Sequence, residues 1–166
     1  MSLKRMVMEL LQSPDTTRLE KFAAAEPRAM RFLLGRLWDP DETMRGRAAV
    51  GIGASAAVNR DLGVDVIRRL VWALNDESAT NGVFGLAAIG EIGARDPDLI
   101  EPFVGPVACY AWDDGLRLEI IRALSRIADT APRLVAPFLD EIEQRVDRRD
   151  ATEVALVAEL SEKVEI

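Results

Sequence analysis

The chain has 166 residues, 49% of them hydrophobic, which is enough for one well-buried domain, and its single cysteine, Cys109, excludes an internal disulfide and the framework of a small secreted domain. A formal charge of −7 opposes non-specific attachment to nucleic acid or to an anionic membrane. The complete lack of histidine removes Ser-His-Asp and Cys-His catalysis, imidazole acid–base chemistry and the common His-containing zinc sites.

Alternating Val, Ile, Thr and aromatic runs are absent, while Ala, Leu, Arg and Glu dominate, so the chain reads as helices joined by short turns. From Ser2 to Gln12, Leu3, Met6, Val7, Leu10 and Leu11 follow the three-four spacing of one helical face. Lys4 and Arg5 precede an apolar run that Glu9 interrupts, with no small-residue cleavage site, so no signal peptide is expected here. Pro14 closes this helix and opens another to about Ala25, with Leu19, Phe22 and Ala23 inward. Pro27 starts a third, striped by Met30, Leu33, Leu34 and Leu37.

The turn Trp38-Asp39-Pro40-Asp41 offers Asp39 as a helix cap and Pro40 as a first helical residue. The helix it opens runs to about Val58, and Asn59 to Gly63 is expected to be a loop. Val64, Ile67, Leu70, Val71 and Leu74 mark the next inward face, Asn75-Asp76-Glu77-Ser78 repeats the turn, and Val83, Leu86, Ala87, Ile89 and Ile92 mark a helix ending at Gly93. Arg95-Asp96-Pro97-Asp98 opens a helix through Leu99, Ile100, Phe103, Val104, Val107 and Tyr110, in which Pro102 is tolerable in the first turn and Pro106 should kink or break the helix. Asp113-Asp114-Gly115 is a further turn, followed by helices through Leu116 to Ile127, from Thr130-Ala131-Pro132 to Val146, and from Asp150 to Lys163.

Sliding the sequence by 37 places Asp39 on Asp76, Ile52 on Ile89 and Gly53 on Gly90. With Leu124-Ser125 and Leu160-Ser161 the second helix of each pair recurs at steps of 37, 35 and 36 residues. Units of this length bury an apolar stripe only by stacking on one another. The longest uncharged apolar run, Ala48 to Val58, is far short of the roughly 20 residues that span a bilayer, so a cytoplasmic protein without a membrane segment is expected.

Asp39-Pro40-Asp41 followed by Met44-Arg45, Ala48-Ala49 and Ile52-Gly53 resembles the HEAT repeat in its short bacterial form, the kind also found in phycobilisome lyases. Leu116-Arg117, Ile120-Ile121 and Leu124-Ser125 are similar, whereas Gly82 stands in place of the arginine in the middle unit and Glu153 in the last. The resemblance covers nearly the whole chain, strongest from about Pro27 to Ala128. It implies an all-α fold, an α-α superhelix or HEAT-like α-solenoid of about five helix pairs. The units would be 1–25 (atypical), 26–62, 63–95 and 96–129 (central) and 130–166 (capping) within a single domain. The second helices would line a concave face, the turn aspartate would pair with the arginine that follows it in a structural ladder, and the usual role would be binding a macromolecular partner.

Three motifs read as chemistry only by their letters. Gly51-Ile52-Gly53-Ala54-Ser55-Ala56 matches a dinucleotide fingerprint, but the residues before it are helical rather than a strand, so close helix packing is the expectation. Gly53-Ala54-Ser55 lacks the glycine and histidine of a nucleophile elbow. The acid pairs Asp39/Asp41, Asp76/Glu77 and Asp113/Asp114 recur at one turn, as capping carboxylates would, and Cys109 is expected to be inert core.

Arg45, Arg47, Arg117, Arg122 and Arg126 lie on second helices, either as solvated and ladder arginines or as a strip facing an acidic partner. Trp38 and Trp112 precede turn aspartates, a place that favours packing, while Trp72 departs from the inward series and stands between packing and binding. The partner-binding candidates are therefore Arg45, Trp72, Arg117, Arg122 and Arg126, with no catalytic, cofactor or metal residue. The function expected is a non-enzymatic scaffold or adaptor for a protein partner, with self-association open as well. A nucleic-acid-binding protein related to HEAT-like alkylpurine DNA glycosylases and a bilin lyase-like chaperone are the alternatives, the first disfavoured by the acidic charge.

Overall fold

A computed structural model describes residues 1–75 and 82–165, and the expected turn at Asp76 to Ser78 lies outside them. The described residues are helical throughout, with no strand among them. In chain order the helices are α1 (Leu3–Leu10), α2 (Thr17–Ala25), α3 (Met30–Gly35), α4 (Glu42–Val58), α5 (Arg60–Ala73), α6 (Leu86–Arg95), α7 (Pro97–Ala108), α8 (Arg117–Ala128), α9 (Pro132–Val135), α10 (Leu139–Arg145) and α11 (Ala151–Glu165). Single 3-10 turns extend α3 at both ends, precede α6, follow α7 and join α9 to α10.

Side-chain oxygens cap the starts of α1, α4, α7 and α11. Asp41, rather than Asp39, caps α4 by accepting from the Thr43 amide at 2.9 Å, and Asp96 caps α7 through the Leu99 amide at 3.1 Å, with Pro97 at the first helical position. Asp39 instead accepts from the Asp41 amide at 2.9 Å, and Asp113 and Asp147 make the same two-residue bond to Gly115 and Arg149. The recurrent acids thus bind backbone amides of the turns.

The expected loop at 59–63 shrinks to Asn59 alone, because its amide group donates to the carbonyls of Ser55 and Ala24 and so closes α4 while α5 begins at the next residue. Pro102 falls in the second turn of α7, not the first, and Pro106 does not break the helix, which continues to Ala108 before tightening into the 3-10 turn 109–112. A proline removes one intrahelical donor, and tertiary packing of Ile100, Val104 and Val107 outweighs that local loss.

Packing arranges the helices in two rows. α2, α4, α6, α8 and α11 pack side by side in that order, and α4, α6 and α8 bury most of their residues because they lie between neighbours and the second row. α1, α3, α5, α7 and α9 cover them, α5 packing on α7 and α7 on α9. The core is one continuous cluster from Val7 and Leu11 through Ile52, Ile89, Ile120 and Leu124 to Leu160.

The first row depends on small residues. A Cβ on Gly53 would lie 2.9 Å from Glu91 Cβ and 3.0 Å from its backbone, so α4 and α6 approach closely only because none is there. Residues 51–56, which spell a dinucleotide loop, all lie inside α4 and are buried, leaving no loop to cradle a phosphate. Gly82 departs from the arginine pattern for a similar reason, since its Cβ would lie 2.6 Å from the Ala73 carbonyl oxygen.

Polar contacts join successive helices within each row at nearly constant separation. Asn59 reaches the Ala24 carbonyl 35 residues back, Arg60 pairs with Asp96 across 36, Arg126 with Glu91 across 35, Thr130 with the Ala94 carbonyl across 36 and Arg117 with Glu153 across 36.

Candidate functional site

The candidate arginines of the first row do not all converge on one site. Arg117 is 5% exposed, its guanidinium held between Asp114 and Glu153, with Nε 3.3 Å from the Glu153 carboxylate. It is an internal tie rather than a surface cation. Arg126 makes two bonds to Glu91, at 3.1 and 3.3 Å, and lies 3.3 Å from Asp129; the bonds to Glu91 first, and the two acids' charge with them, hold its pKa above the ordinary value.

Arg45 and Arg122 share a small surface hollow of about 350 Å³ with Glu42, Phe84 and Glu119. Both are occupied within it. Arg45 donates to the carbonyls of Asp39 at 2.7 Å and Pro40 at 3.3 Å and lies 4.9 Å from the centroid of the Phe84 ring, while Arg122 pairs with Glu119 at 2.6 Å. The expected aspartate–arginine ladder is therefore made through the Asp39 carbonyl, its carboxylate going to Arg36 at 3.1 Å. Arg47 likewise donates to the Leu11 carbonyl at 2.9 Å.

Trp72 stands apart from all of these, 77% exposed on α5. It borders an open groove of about 770 Å³ between α3 and α5, floored by Leu34, Val66 and Leu70 and lined as well by Trp38, 45% exposed. The groove exists because α3 ends after two turns and does not close on α5 as α5 closes on α7. Its floor is lowered further at Gly35, where a Cβ would meet nothing within 4 Å. Arg31 on α3 and Arg68 and Arg69 on α5 line it, and none forms an ion pair with any described residue. Arg31 is steadied by the Phe32 ring, 4.5 Å from its guanidinium carbon.

Sequence reasoning passed over these three arginines because it looked for charge on the second helices. The signal was present, since Arg31 and Arg68 are 37 residues apart and so occupy the same place in successive units. Two further expectations change with exposure. Cys109 is exposed in the 3-10 turn after α7 rather than in the core, and Trp112, 60% exposed, joins Trp38 as an indole left at the surface instead of packed between helices.

Among the described residues no cluster of three or more Asp, Glu or Cys side chains is placed to hold a metal ion, and no helix is long and apolar enough to cross a membrane. No protein-family profile matches the chain. An uncharacterized protein of Archaeoglobus fulgidus is 27% identical over 117 residues, which is 68% of this chain and 63% of the relative, so the match spans less than two thirds of the relative's length.

Proposed function

We propose that this protein is a non-enzymatic scaffold of the α-solenoid, HEAT-like kind, working in the cytoplasm, and that it docks a protein partner in the groove between α3 and α5. The solenoid reading is supported by the two rows of helices, by the close approach at Gly53 and by polar contacts that recur 35 or 36 residues apart. The observation that carries the docking reading is the pair of exposed indoles, Trp38 and Trp72, lining one groove with an apolar floor. Solvent-exposed tryptophan beside a ready-made apolar cleft is the composition of binding hot spots, because a large rigid ring leaves water on association at small entropic cost.

The docking face in this reading belongs to the second row of helices in space, α3 and α5, which are the first helices of their pairs. The face expected from sequence is less suited, since Arg45, Arg117, Arg122 and Arg126 direct their donors to carbonyls and acids of the chain itself.

A photo-crosslinking amino acid at position 72, compared with one at Val58, which is 65% exposed at the end of α4, tests the site in the native cell. Adducts with a reproducible protein should form from position 72 and not from position 58. Trp72→Ala should weaken that complex at least about tenfold while changing stability by less than about 0.5 kcal/mol, as an exposed hot-spot residue would. Equal or absent crosslinking from the two positions would refute this docking site.

A further inference from the structure

The charge around the groove runs against the rest of the molecule. The chain carries 21 basic and 28 acidic residues, and several arginines outside the groove pair with acids of the chain, as Arg60 does with Asp96, Arg95 with Glu91 and Arg126 with Glu91. At the groove Arg31, Arg68 and Arg69 are exposed or lie at its edge without an acid partner among the described residues, and Arg28 at its far end is held by Glu26 at 2.9 Å. Asp65, the acid among the lining residues, lies one helical turn before Arg68 and Arg69.

We infer that the groove takes an acidic peptide segment of the partner, one large apolar side chain entering between Trp38 and Trp72 and flanking carboxylates meeting Arg31, Arg68 and Arg69. This rests on the docking reading above and adds the chemistry of the ligand. Arginine suits the role because its planar fork meets a carboxylate with two hydrogen bonds and stays charged at every physiological pH. The apolar floor supplies affinity, and the arginines supply choice among ligands and a faster encounter.

Nucleic acid would also meet arginines and stacking indoles, yet the geometry favours the peptide. Three arginines neutralise far fewer phosphates than the roughly 6 to 10 contacts of a typical DNA-binding surface. A polyanion leaving the groove along α5 would next encounter Asp65 and Asp61, and then a molecule of charge −7. A short segment with a few carboxylates ends before that repulsion begins.

The test is selection of a displayed library of short random peptides on the full chain, beside two variants. Gly35→Leu fills the groove from an exposed helical position with open space around its Cβ, so it should fold normally and, by circular dichroism, melt as the parent does. Arg68→Glu with Arg69→Glu reverses the charge of one wall. The parent should enrich sequences with Asp or Glu beside a Leu, Phe or Trp, the best of them binding about tenfold more weakly when its acids are made neutral, the effect of a few exposed charge pairs together.

Gly35→Leu should abolish enrichment, and the charge-reversed variant should shift it to Lys and Arg. Apolar sequences without acids, still lost in Gly35→Leu, would overturn the acidic ligand while leaving the docking site intact. No enrichment over Gly35→Leu would overturn the inference, with the crosslink at position 72 still deciding whether a partner docks there at all. Tighter binding of a single-stranded oligonucleotide than of the best peptide, read by fluorescence anisotropy, would overturn it in favour of nucleic acid.

Discussion

Glu153 occupies, in the last helix of the chain, the place that Arg117 holds one period earlier, and the change of sign joins the two. Its carboxylate is 5% exposed, accepts from Arg117 Nε at 3.3 Å and from the Asp147 amide at 2.9 Å, and so satisfies both a buried cation and the turn that leads into α11. Glu153→Ala leaves Arg117 with only the exposed Asp114 as partner. The expected loss is about 3 kcal/mol in urea unfolding, because the cost is that of an under-compensated buried charge. The double change Arg117→Met with Glu153→Leu should recover most of it, since an apolar pair of similar volume avoids that cost. A single-variant loss below about 1 kcal/mol would mean the pair is effectively solvated. The tie was not legible in the sequence, where an isolated arginine on a helix reads as solvent-facing until its partner 36 residues away is seen. Gly82 is the complementary case: the missing arginine is visible in the letters, but the Ala73 carbonyl that leaves no room for a side chain is a property of the folded turn.

Helices and their inward faces were legible from three-four spacing, as α1, α5 and α8 illustrate with Val7, Ile67 and Ile120 fully buried. What one sequence window does not hold is competition between an element and its neighbours, and that decided Asn59, Pro106 and Cys109. The groove is a relation between two elements, α3 and α5, and its arginines are apparent only when the first helices of successive units are compared. The starts of the elements carry their own pH dependence. Glu26 is held from its ordinary 4.5 down to about 2, by the Arg28 side-chain bond first and the Arg28 amide second. Asp39 is lowered by the Asp41 amide first and then by Arg36, and Asp147 by the Arg149 amide and then its side chain. A carboxyl whose folded pKa lies below its unfolded one binds fewer protons when folded, so its contribution is complete above the unfolded value and is lost as pH falls through the folded one. The melting temperature should therefore fall between about pH 4.5 and 2, and Glu26→Gln should flatten the curve in that window while leaving it unchanged at neutral pH relative to its own plateau. An equally steep curve in Glu26→Gln would show that other carboxyls carry the acid transition.

Across the molecule each helix of the inner row touches chiefly the one before and the one after it, so stability should be distributed by position in the row. α6 packs between α4 and α8, with Leu86, Ile89 and Ile92 fully buried, whereas α1 has a neighbour on one side only and contributes Val7 as its buried residue. In a stack with nearest-neighbour coupling the ends open without the centre, and opening from an end costs less for every helix nearer to it. Amide hydrogen exchange should then be slowest in α4, α6 and α8 and faster toward α1 at one end and α10 at the other, with α11 slower than α10 because the Arg117–Glu153 tie fastens it to α8. Glu153→Ala should accelerate exchange in α11 and leave α4 nearly unchanged. Uniform protection, or equal acceleration everywhere in that variant, would mean that the molecule opens as one cooperative unit and that its rows are not coupled pairwise. The same gradient bears on the groove. α5 rests on α4, α6 and α7 in the protected half of the molecule, so its Trp72 and arginines are presented from a stable support, and a ligand there should slow exchange in α3, the short helix with most protection to gain.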